Sequence, residues 1–60
     1  MNAYEYGVKR GRATGRGEAT QRDYDWIADE TDGEIQCTDP QDAVDFGAGM
    51  RAGAAEPDPT

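Results

Sequence analysis

The residues with chemistry to offer in this 60-residue chain are carboxylates, one thiol and a short run of cations. There is no His and no Ser, so proton transfer would fall to acidic pairs such as Asp23/Asp25 or Asp29/Asp32, and nucleophilic attack to Cys37, which has no evident base. Carboxylates on a strand face or a turn are expected to be solvated rather than catalytic, and so short a chain rarely encloses the roughly 300–1,000 Å³ of a ligand pocket. The expectation is a protein that is not an enzyme and holds no cofactor.

Two runs have the composition of ion-binding segments. The run Asp29-Glu30-Thr31-Asp32-Gly33-Glu34 is rich in oxygen ligands, but with Gly33 at the sixth position of a calcium loop the first ligand would be Ala28, so no metal site is expected. The segment Lys9-Arg10-Gly11-Arg12 to Arg16-Gly17 could touch phosphates. No aromatic residue interleaves it and the phosphate-loop ending is absent, so a nucleic-acid partner is not expected, although an accessory role through this Arg/Gly loop is an alternative.

Charge is unevenly distributed. Residues 1–22 carry Lys9, Arg10, Arg12, Arg16 and Arg22 against Glu5 and Glu18, whereas residues 23–60 carry eight Asp and three Glu against Arg51, within a net charge of −7. Abundant Asp with a single Lys is similar to proteins of salt-loving archaea, and Arg, Ala, Gly and Asp together also fit a GC-rich bacterium or phage. The core is thin: there is no Leu, and nine residues are Ala. A single Cys37 allows no intrachain disulfide, and neither a leader of charged-then-apolar type nor a long apolar run is present, so a soluble, cytoplasmic protein without a membrane partner is expected.

The elements that must position these residues are read from periodicity. Asp32-Gly33 tolerates the positive φ of a tight turn, and pairing outward from it places Tyr24, Trp26, Ala28, Ile35 and Cys37 on one face of a hairpin and Asp25, Ile27, Asp29, Glu34 and Gln36 on the other. A helix over residues 21–31, with Thr20 as cap and Tyr24, Ile27 and Ala28 at i, i+3, i+4, is the competing reading and puts Trp26 on the polar side. Residues 3–10 alternate as a strand with Tyr4, Tyr6 and Val8 on one side, and residues 11–19 read as a mobile connection.

Asp39 as N-cap and Pro40 at N1 start a helix that runs to about Arg51, with Ala43, Phe46, Gly47 and Met50 as its apolar stripe, Gly47 close to the sheet and Gly53 as the residue after its end. The expected architecture is α+β: a three-stranded antiparallel sheet with one C-terminal helix on one face. It forms a single domain over residues 1–52, followed by a disordered acidic tail over 53–60.

Tyr24-x-Trp26 followed by Asp32-Gly33-Glu34-Ile35 resembles the Y-x-W…N-G-E-I hairpin of the small YegP-like domains of unknown function. That resemblance implies three strands and a helix, in tandem or as a dimer. The functional expectation is a small acidic protein-interaction module, homodimeric, that also binds a further protein. Ile27 is its apolar anchor between Asp25 and Asp29, and Arg12 and Arg16 approach the acidic edge of a second copy. The alternative is a phage-type DNA mimic, with Asp23, Asp25, Asp29, Asp32 and Glu34 on one face or its rim, because alternate strand residues are about 6.8 Å apart, close to the phosphate repeat.

Overall fold

The structure, a computed structural model, describes residues 1–56 and is helical: α1 spans Ala3–Thr14, α2 Gln21–Glu30 and α3 Pro40–Ala55. No strand forms among the described residues, so the α+β fold expected from alternation, and the three-stranded sheet implied by the YegP-like resemblance, are not what the chain adopts.

Each helix has local stop and start chemistry. Asn2 caps α1 by accepting from the Glu5 N–H at 2.9 Å, and Gly15, at φ 70°, closes it by donating its N–H to the Gly11 carbonyl. In α2 the turn signal is real but serves another end. Asp32 and Gly33 take positive φ, 55° and 82°, as the terminating residues of the helix, with the Gly33 N–H reaching the Ala28 carbonyl at 2.8 Å and the Asp32 N–H that of Asp29 at 3.2 Å. This is the pair of bonds that satisfies the last carbonyls of a helix. Asp39 caps α3 by accepting from the Gln41 N–H, with Pro40 in the first turn, as its sequence indicated. The helix runs on to Ala55, so Gly53 is a buried interior residue; residues 53–55 of the expected tail are helical, and residues 57–60 lie outside the described residues.

Glycine decides the packing of α1 against α3. Gly7 and Gly11 on one helix and Gly49 and Gly53 on the other are each four residues apart, and all are buried. A Cβ on Gly7 would be driven into the Phe46 carbonyl and to 2.9 Å from the Gly49 Cα; one on Gly53 would meet the Val8 carbonyl and, at 2.9 Å, its Cα. Tyr4 lies beside Gly49, Val8 beside Gly53 and Gly11 beside Ala54, so the two helices run parallel with their backbones touching. Such close approach gains dispersion along the whole seam and offsets the helix-propensity cost of four glycines. Gly47, expected to make the close approach, has nothing among the described residues packed within 4 Å of its would-be Cβ.

Helix α2 returns the chain between these two and packs through side chains. Ile27, expected on the outer acidic face, is 0% exposed and forms the core with Ala3, Phe46 and Met50. Trp26 stacks on Phe46 with centroids 6.4 Å apart and meets Tyr6 edge-on at 6.2 Å. The apolar face of α2 is thus wide enough to include both Ile27 and Trp26. From the following connection Ile35 and Cys37 fold back onto the same core.

Candidate interaction surfaces

The strongest polar arrangement is inside the molecule. Asp23 is 0% exposed. Its Oδ1 accepts from Arg10 Nε and Arg16 Nη2 and its Oδ2 from Arg16 Nη1, all at 2.8 Å. Oδ2 also accepts from the N–H and the hydroxyl of Thr20, both at 2.9 Å. Arg10 in turn lies 5.0 Å from the centre of the Trp26 ring.

The hydrogen bonds from Arg16 hold the Asp23 carboxyl well below the usual carboxylate range, against the opposing effect of burial and with help from Arg10 and Thr20; the same pairing raises Arg16. No buried side-chain polar atom among the described residues lacks a partner. The cluster ties the end of α1 and the following connection to the first turn of α2, which is a structural task. Its sequence signal was Thr20-x-x-Asp23, a capping box with Asp at the third helical position.

The residues assigned to an interface are dispersed by the helical fold. Arg16 is bound to Asp23, Arg12 reaches Glu56 at 3.5 Å and Lys9 reaches Glu30 at 3.9 Å, the last two in exposed pairs. Asp25 and Asp29 are exposed and one turn apart on the outer side of α2, without Ile27 between them. Asp23 points inward, so Asp23, Asp25, Asp29, Asp32 and Glu34 do not share the extended face on which the phosphate-spacing argument relied. Asp23 and Asp25 are likewise on different sides of a helix and make no acid–base pair.

Cys37 is partly buried beside a concavity of about 190 Å³ that also touches Tyr24, Asp25 and Ala28. Desolvation, reinforced by the nearby Asp42 charge, pushes its thiol up, which keeps it protonated and poorly nucleophilic at neutral pH. Among the described residues no three acidic or thiol groups converge as metal ligands, and no helix is long and apolar enough to cross a membrane.

Two surface features stand out. The first is charge: of the carboxylates in the described residues, only Asp23, Glu30 and Glu56 form ion pairs, which leaves nine, from Glu5 to Asp45, without one. Four of the six cations are engaged with those three acids. The second is a groove of about 400 Å³ between α3 and the Gly17–Ala19 connection, walled by Tyr24 and edged by Val44, which is 66% exposed. A wider concavity of about 580 Å³ on α1 is bounded, among the described residues, only by Met1 and side chains of that one helix. Comparison of the chain with family models, curated proteins and solved structures finds no match.

Proposed function

We propose that this chain is a small, non-catalytic protein-interaction module whose acidic exterior binds a cationic surface on a protein partner. The observation that carries this reading is the partition of charge. Most cations are spent within the chain, while the outer side of α2 and the loop after it present Asp25, Asp29, Asp32 and Glu34, all exposed and none in an ion pair. A surface dominated by one sign, with Arg22 the exposed cation one turn before Asp25, steers an oppositely charged partner and disfavours like-charged ones.

The test is affinity capture from the cells that make the protein, using the wild type and Asp25→Lys/Asp29→Lys in parallel. A partner held by the wild type, lost from the variant and released as NaCl rises from about 0.1 to 0.5 M supports the reading. Equal capture by both proteins, salt-resistant capture or no capture at all counts against it. Displacement of the captured partner by excess duplex DNA would identify the acidic face as a DNA mimic.

A further inference from the structure

We propose that the outward face of α3 is a self-association surface on which a second copy of this chain docks by two-fold symmetry, an inference independent of the acidic-face reading. Pro40, Val44, Gly47 and Arg51 recur at intervals of four, three and four, which places them on one side of a helix, with Ala48 alongside. No carboxylate stands among these positions in a chain that has thirteen. Among the described residues, the one carboxylate lining the adjoining groove is Glu18, on the connection side, and Arg51 lines the same groove with the opposite charge.

Gly47 supplies the second observation. Gly7, Gly11, Gly49 and Gly53 are each accounted for by backbone packed against them, but among the described residues nothing is packed within 4 Å of a Cβ built on Gly47. The missing side chain opens the groove walled by Tyr24, next to the exposed Val44. Projection and hollow are therefore three residues apart on the same stripe.

A two-fold contact requires both members of every complementary pair on one surface, and this stripe has them. With the two α3 helices antiparallel, Val44 of each copy lies over Gly47 of the other, and in the same register Arg51 reaches the Asp39-Pro40 end of the other. Shape and charge complementarity are each used twice. A 16-residue helix is about 24 Å long, so the seam is smaller than a standard interface of about 1,200–2,000 Å² and the dimer is a weak one, seen at high protein concentration.

The test is sedimentation equilibrium of the full chain from about 20 µM to 1 mM at about 0.5 M NaCl, where long-range repulsion is screened. The wild type is expected to rise from 6.5 kDa toward twice that mass. Gly47→Gln, which fills the hollow, and Val44→Asp, which charges the projection, should each weaken association at least tenfold. Asp25→Asn/Asp29→Asn on α2, outside the stripe, should not. Helicity by circular dichroism checks that each variant folds, and Val44→Asp, at an exposed position, carries the test if Gly47→Gln does not. A wild-type monomer throughout, a dimer indifferent to both α3 variants, or one weakened equally by the α2 variant overturns the proposal.

Discussion

Arg16 grips Asp23 with both terminal nitrogens, Nη1 on Oδ2 and Nη2 on Oδ1, each at 2.8 Å, while Asp23 itself is wholly buried. Such a two-pronged pair fixes the direction of both side chains, and here it fixes the connection between α1 and α2. Removing the acid leaves Arg10 and Arg16 without it, but their side chains are 19% and 41% exposed and water can reach them. Asp23→Ala is therefore expected to cost about 3 kcal/mol, the low end for breaking a buried pair, measured by urea unfolding.

The pH dependence of that contribution has a definite sign. Asp23 is held below its ordinary 3.8 in the folded chain, so the unfolded state binds its proton first as pH falls. The stabilisation is complete above the unfolded value and is lost as pH drops toward the folded one. The stability gap between wild type and Asp23→Asn should thus be constant above about pH 5 and narrow steadily below about pH 4. Using the difference cancels the opposite effect of neutralising the surface carboxylates. A gap unchanged down to about pH 2 would contradict the assigned pairing.

Glycine substitutions separate the close seam from the open face. Gly49→Ala forces a Cβ into the Tyr4 carbonyl and should destabilise by about 1–3 kcal/mol despite better helix propensity. Gly47→Ala meets nothing and should stabilise the dilute protein by about 0.5–1 kcal/mol. In melting temperature these are shifts in opposite directions of roughly 4–8 °C per kcal/mol for a domain of this size.

Ile27→Ala tests whether the residue is core. With Ile27 0% exposed, the substitution should cost about 2–5 kcal/mol and, in so thin a core, leave much of the chain unfolded by circular dichroism at 25 °C. A folded variant of unchanged stability would return Ile27 to the surface.

The nine carboxylates without an ion pair should make stability rise with salt, because screening shortens from about 10 Å at 0.1 M to about 3 Å at 1 M. A melting temperature that climbs in NaCl but not in an equal concentration of sorbitol would separate this from general strengthening of apolar burial. A flat response would count against charge repulsion as the cause.

Local features were legible in the residues themselves. Asp39-Pro40 started a helix because its chemistry is complete within two positions, and Asp32-Gly33 took positive φ because that preference belongs to the dipeptide. The separation of cations from acids along the chain was plain as well, as was the want of large apolar side chains.

Only the tertiary structure decided what joined these pieces. Tyr4, Tyr6 and Val8 alternate, so periodicity pointed to a strand where α1 forms, and Tyr24, Ile27 and Ala28 fit a helix as well as a hairpin, so there it left the two competing. The contest was settled by contacts far apart in sequence: Gly7 and Gly11 against Gly49, Met50 and Ala54, which reward a helix with backbone contact no strand in that place would make. Asp23 met Arg10 thirteen residues away for the same reason. Once α1 and α2 are helices, Ile27 turns inward, Arg16 is consumed, and the free surface passes to the outer sides of α2 and α3. A glycine or a carboxylate carries no mark of which neighbour will fill or bind it; that is fixed when the chain closes on itself.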